Sequence, residues 1–210
     1  MHFQTPYFYT ATLSLLLSVF TLLPASVEGA NMPYFIDPLN IEHQNAGNLN
    51  NLDDNFATSL VNMGVRDPII TRVNGMPLTG QALTHEIRSS KSLPRFVNLG
   101  PGNYGPESLG VAMHIRPETI AEVGGRKTFA IMSLVPPSGH GPGGHLSTMW
   151  YHHFVEVEGD PNLSNRMSGI WEEERGAPDF ATNIRGRKVL PASHLMPELN
   201  RIVRLAHQGA

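Results

Sequence analysis

The chain contains no cysteine, and that single absence removes several kinds of chemistry at once. There is no thiolate nucleophile, no iron–sulfur cluster, no cysteine zinc site and no blue-copper centre, which needs a cysteine sulfur. No disulfide can form either, so a folded domain must be held by its apolar core, or by a core plus a bound metal. An excess of charge of one sign is also missing. With 15 Lys and Arg against 18 Asp and Glu the formal net charge is -3, which gives no reason to expect a nucleic acid or an anionic membrane surface as partner. The densest basic group, Arg185-Gly186-Arg187-Lys188, is short and interrupted and reads as a solvated loop. The G-x-S-x-G, H-E-x-x-H and P-loop patterns are absent, and the Gly-rich stretches lack phosphate-binding spacing, so hydrolase and nucleotide-binding readings have no support.

Long apolar runs are scarce. The one from Ala11 to Leu23 is short for a membrane span and is followed by Pro24 and small residues ending Val27-Glu28-Gly29, so residues 1–29 read as a signal peptide, although its first part has no Lys or Arg. Nothing after it has the length to cross a bilayer. The expected product starts near Ala30 and is secreted or held at the cell surface, extracellular or periplasmic.

From Ala30 to Val65 there is no Lys or Arg, and Ile41–Asn55 is rich in Asn. Residues 30–66 therefore read as an extended arm that ends in a short helix. Asp53 or Asp54 serves as its N-cap, Phe56, Leu60 and Met63 share a face, and Gly64 follows as the C′ residue. From residue 67 the texture becomes that of strands. Ile69–Val73 is β-branched and runs into Asn74-Gly75, a hairpin-turn dipeptide. Arg95–Leu99, Leu109–Ile115, Thr128–Val135 and Met149–Val157 are further strands, and Pro117–Gly125 reads as a two-turn helix with Pro at N1 and a terminal Gly pair. Leu199, Ile202, Val203 and Ala206 recur at helical spacing in a C-terminal helix over Pro197–His207. No internal repeat is visible. The pattern predicts a mainly β domain over 67–210 with short peripheral helices and the C-terminal helix.

Histidine is what the chain has in quantity. It carries ten, four of them between His140 and His153, in a Gly- and Pro-rich stretch that leads to Trp150-Tyr151-His152-His153-Phe154. Neutral imidazole is the commonest side-chain ligand for copper and zinc, so the cluster points to a metal ion as partner. Strand alternation over Met149–Val157 places Tyr151, His153 and Val155 on one face, toward the core, and Trp150, His152 and Phe154 on the other. Met113-His114, at the end of a predicted strand, adds another histidine and a soft thioether that suits Cu(I).

Arg95-Phe96-Val97-Asn98-Leu99-Gly100, then Met113-His114, Pro142-Gly143, Trp150-Tyr151-His152 and Met167-Ser168-Gly169 resemble, in order, the landmarks of a cupredoxin domain of multicopper oxidases. The resemblance covers roughly residues 69–170 and implies a cupredoxin-like β-sandwich. His153 stands where that family has its Cys, Phe154 where a histidine follows it, and Arg116 where the second histidine of an HxH pair belongs. The resemblance thus implies no blue-copper path, and at most a mononuclear histidine copper site. Trp150-x-His152 also resembles the site of methanotroph surface copper-binding proteins, in which a Trp-derived kynurenine and two histidines hold Cu(I). Both resemblances converge on copper, with His152, His153 and His114 as ligands and Trp150 lining the site. The function expected from this is copper acquisition or handling by an exported protein, with association at a surface left open. The alternatives are a copper-dependent oxidoreductase and a metal-free binding or structural domain.

Overall fold

In a computed structural model, residues 40–43, 50–102, 107–136, 147–176 and 187–208 are described. In chain order they form β1 (Asn40–His43), α1 (Asn50–Asn62), β2 (Ile69–Arg72), α2 (Gly80–Ser89), β3 (Pro94–Pro101), β4 (Leu109–His114), β5 (Lys127–Val135), β6 (Thr148–Glu158), α3 (Leu163–Gly176), β7 (Val189–Pro191) and α4 (Leu195–Gln208), the last preceded by a 3-10 turn at Ala192–His194. One seven-stranded sheet results, in the order β1-β6-β5-β4-β3-β7, with β2 also on β6. Strands β3 to β6 form an antiparallel meander. Strand β1 pairs in parallel with the first part of β6, at Thr148–Tyr151, and β2 pairs antiparallel with the last part, at Val155–Glu158.

Every residue of β4, and all but the last of β5, is buried. A strand that is apolar on both sides needs cover on both faces of its sheet, and helices supply it. On one face Phe96, Met113 and Met132 meet Leu83 and Ile87 of α2 and Leu195, Leu199 and Ile202 of α4. On the other, Val97, Ala112, Phe129 and Ile131 meet Leu52, Phe56 and Leu60 of α1 and Leu163 and Met167 of α3. Each of these larger side chains contributes on the order of 1.5–3 kcal/mol by leaving water, before chain entropy is set against it. The architecture is mixed α/β in three layers. It departs from the expected cupredoxin-like sandwich because a sandwich covers a sheet with a second sheet, whereas among the described residues helices occupy both faces.

Three local expectations also change. Helix α1 starts at Asn50, so Asp53 and Asp54 lie inside it rather than at its N-cap. Pro117–Gly125 forms turns rather than a helix. The amides of Thr119 and Ile120 both bond to the Arg116 carbonyl, but only Ile120 packs against the core while Val123 remains 70% exposed, and a short helix needs a whole apolar face to hold it. Asn74-Gly75 makes a turn, with Gly75 at φ +85. No second strand follows, because Met76-Pro77-Leu78 leads to Thr79, whose side chain accepts from the Ala82 amide and caps α2.

Helix α1 ends as its sequence indicates. The Gly64 amide bonds to the Val61 carbonyl and the Val65 amide to the Leu60 carbonyl, a Schellman motif with Gly64 at φ +86. A Cβ there would also lie 3.2 Å from Arg166 Nη1. Gly64→Ala is expected to lower stability by about 1–2 kcal/mol, read as a lower urea midpoint at constant slope; an unchanged midpoint would contradict this account of the helix end. Gly110 on β4 has a different reason to be glycine. A Cβ there would lie 2.7 Å from Leu52 Cδ2 and 3.3 Å from Leu99 Cβ, so the absent side chain lets α1 sit close against the sheet.

Candidate functional site

Strand β6 carries Trp150, His152 and His153, and its pairing with β5 decides where they point. Trp150 is opposite Ser133 and Tyr151 opposite Met132, but the next pair is His153 with Ile131. His152 is thus an extra residue, a β-bulge, and beyond it the side-chain alternation is reversed. Met149, Tyr151 and Phe154 pack into the core under α2 and α4. Val155 and Val157 pack on the other side with α1 and α3. Simple alternation placed His152 and His153 on opposite faces. The bulge brings both to the α1 face, together with Trp150, which shares a side with its partner Ser133.

There His152 Nε2 lies 2.9 Å from Ser133 Oγ and His153 Nε2 lies 2.8 Å from Asp53 Oδ1. The first contact has the separation of a serine nucleophile and its base, but Ser133 is 0% exposed, so no substrate carbonyl can reach it and the bond serves a buried hydroxyl. The second joins α1 to β6, and Arg72 of β2 binds the same Asp53 carboxylate at 2.5 and 2.8 Å. Burial raises the Asp53 carboxyl, but the bonds from His153 and Arg72 outweigh it and hold it below the ordinary value. A carboxylate only accepts, so His153 carries its proton on Nε2, and in the neutral ring the lone pair is on Nδ1. That Nδ1 is buried and has no hydrogen-bond partner.

His114 lies elsewhere. It ends β4 opposite Phe129, which in turn faces Val155, two residues beyond His153. Two strand spacings of about 4.8 Å and a rise of about 3.3 Å per residue put His114 more than about 10 Å from His153, with Phe129 and Ile131 between. The two rings have separate surroundings, His153 against Asp53 and His114 near Ser164 and Glu122. Met113 points into the opposite core from His114 and is fully buried. Met167-Ser168-Gly169 lies within α3, with Met167 in the core.

Sequence reasoning missed the surroundings of His114 altogether. Its carbonyl accepts from Arg95 of β3, at 3.0 Å from Nε and also from Nη2. Arg95 Nη2 in turn donates to Glu86 of α2 at 2.8 Å. Arg116 binds the same carboxylate through Nε at 3.2 Å and Nη2 at 2.8 Å, and Thr119 Oγ1 through a 2.5 Å bond. Burial raises the Glu86 carboxyl, but these bonds prevail and hold it at about 2. The His114 imidazole is pushed down to about 4, first by burial and then by the positive charges of Arg95 and Lys127. The available signal was the Leu83, Glu86, Ile87 spacing behind the Thr79 cap, a helix start followed by helical periodicity.

Of the remaining described histidines, His43 ends β1 opposite Tyr151 of β6, next to the bulge, while three are apart from both places: His85 is exposed on α2, His194 stacks edge-on against Trp171 at 4.9 Å, and His207 lies 3.3 Å from Glu107 at the surface. Residues 1–29, His140 and His145 lie outside the described residues. Among the described residues no three of His, Asp and Glu gather as a metal centre, and no helix is long and apolar enough to cross a membrane. The fold and its polar clusters define a mixed α/β protein with a histidine-bearing bulge on one strand and a buried Arg–Glu–Arg group on another part of the sheet. Compared with protein-family models, curated proteins and solved structures, the chain matches none.

Proposed function

We propose that this is an exported copper-binding protein for acquisition or handling of the metal, with His153 as the principal ligand, His152 as the second and Trp150 beside them. The observation that carries the reading is the state of His153. Its Nε2–H is engaged by the Asp53 carboxylate while its Nδ1 is buried and unpartnered. Metal-bound histidines commonly have this arrangement, in which a carboxylate on one nitrogen fixes the tautomer and raises the basicity of the other. The bulge supports it by putting two consecutive histidines on one face. Two imidazoles suit Cu(I), a soft ion that tolerates low coordination. Export rests on the signal-like residues 1–29, and the Trp150-x-His152 spacing keeps the likeness to surface copper-binding proteins in play.

The test is copper content after reconstitution with Cu(I), measured by elemental analysis on the parent protein, His153→Ala and Asp53→Asn. The parent is expected to bind one equivalent, His153→Ala to lose it, and Asp53→Asn to bind about 10- to 100-fold more weakly. Absence of bound copper in the parent would overturn the function, and copper retained in His153→Ala would overturn the site. Oxygen uptake by the copper-loaded protein with a phenolic substrate would replace handling by oxidoreductase chemistry.

A further inference from the structure

A second place on the molecule carries a different ligand chemistry, independent of copper. Where β3 begins and β4 ends, a cleft of about 230 Å³ opens against the first turns of α3. Leu93, Pro94, Pro117 and Met167 give it apolar walls, and Arg95 and Arg116 line it from one side. Leu93, at its lip, is an apolar side chain left 48% exposed.

The hydrogen bonding around it is incomplete. Two guanidinium groups share the single Glu86 carboxylate, and beyond it they are attracted only through space by Glu118 at the rim. Arg95 is only 6% exposed, uses Nε and Nη2 on His114 and Glu86, and has no acceptor for its buried Nη1. Arg116 spends Nε and Nη2 on Glu86, so its Nη1 is also left over. A buried guanidinium nitrogen without an acceptor is costly, and native structures rarely keep one without a reason. The nearby carboxylates do not serve it. Glu122 is held by Lys127 at 2.5 Å, and Glu118, exposed on the rim, attracts both guanidinium groups through space but is hydrogen-bonded to neither among the described contacts. Ser164 and Ser168 add hydroxyls from α3 to the same cleft.

We infer that this cleft binds a small organic monocarboxylate, its carboxylate received by Arg95 and Arg116 and its short apolar body laid against Leu93, Pro94, Pro117 and Met167. A carboxylate supplies the acceptor that the buried Arg95 Nη1 lacks, and guanidinium forks match its two oxygens. The volume of about 230 Å³ holds a molecule of roughly eight non-hydrogen atoms, taking about 30 Å³ for each water-sized group. A phosphate would satisfy the arginines but leave the apolar walls without a partner.

The experiment titrates the full chain, followed by amide NMR shifts, with hexanoate, hexanol, acetate and inorganic phosphate. Hexanoate is expected to bind saturably and to shift the amides of Arg95, Arg116 and Ser164. Hexanol, acetate and phosphate should each bind at least about 10-fold more weakly. Arg116→Gln, at a half-exposed position, should weaken hexanoate by about 10-fold or more while the protein stays folded by circular dichroism; Arg126→Gln, a surface arginine paired with Glu158, should leave it unchanged. Equal binding of hexanol and hexanoate, tighter binding of phosphate, an equal loss in Arg126→Gln, or no saturable shift would each overturn the assignment.

Discussion

Glu86→Gln is expected to cost about 3–5 kcal/mol of unfolding free energy at neutral pH. Glu86 is 1% exposed and is the only carboxylate bonded to both Arg95 and Arg116 among the described contacts. Glutamine keeps the shape, but it removes the negative charge and turns an N–H₂ toward guanidinium donors. Arg95, buried beside it, would be left as an uncompensated cation, and breaking one half of a buried pair is far more costly than replacing both halves. The pH dependence gives a second reading of the same bond. The folded carboxyl titrates at about 2 against an ordinary value of 4.5, so its stabilisation is complete above 4.5 and is lost as pH falls from there toward 2. Urea unfolding of the two proteins between pH 7 and 2.5 should show a large gap at neutrality that narrows below 4.5. A constant gap, or none, would mean that the Arg–Glu–Arg group does not hold α2 to the sheet.

The second large effect is acid sensitivity from His114. The unfolded imidazole takes up a proton near 6.5 and the folded one only near 4. Stability is therefore full above 6.5, falls as pH drops through that window because only the unfolded chain gains the proton, and levels off below about 4. The difference corresponds to about 3 kcal/mol. The groups facing His114 explain why it resists charging: Arg95 from β3, Lys127 from β5 and the Phe129 ring at 5.1 Å, with Glu122 Oε1 no closer than 3.9 Å and Ser164 Oγ at 3.5 Å. Glu86 acts in the opposite sense but is already neutralised by its arginines. His114→Gln should remove most of the loss between pH 6.5 and 4, seen as a urea midpoint that stays nearly constant across that range while the parent's falls. A variant that loses stability with pH as steeply as the parent would show that another group is responsible.

Local chemistry was readable along much of the chain. The strands β2 to β6 follow from apolar and β-branched runs, the end of α1 from Gly64, and α4 from Leu199 and Ile202 at helical spacing, because each signal is contained in a few neighbouring residues. Helices α2 and α3 carried signals of the same kind, Leu83 with Ile87 and Leu163 with Met167 and Trp171, all buried. They were hidden because the surrounding segments read as turns and as cupredoxin landmarks. The burial of β4 and β5 on both faces was also foreshadowed by Leu109–Ile115 and Thr128–Val135, which are nearly continuous apolar runs rather than alternating ones. That texture distinguishes a sheet covered on both sides from one with a solvated face.

The histidines show where sequence reading ends. By itself the sequence determined that histidines crowd around Trp150, that no thiolate can join them, and that the segment carrying them is a strand. Which of them can act together was decided only by the tertiary structure. The pairing of β6 with β5 inserts His152 as a bulge, and a one-residue slip moves every following side chain to the other face. His153 is thereby delivered to Asp53, a residue 100 positions away, while His114 is carried beneath α3 and into the company of Arg95. Register and partner are properties of two strands at once, and no periodicity within one strand contains them.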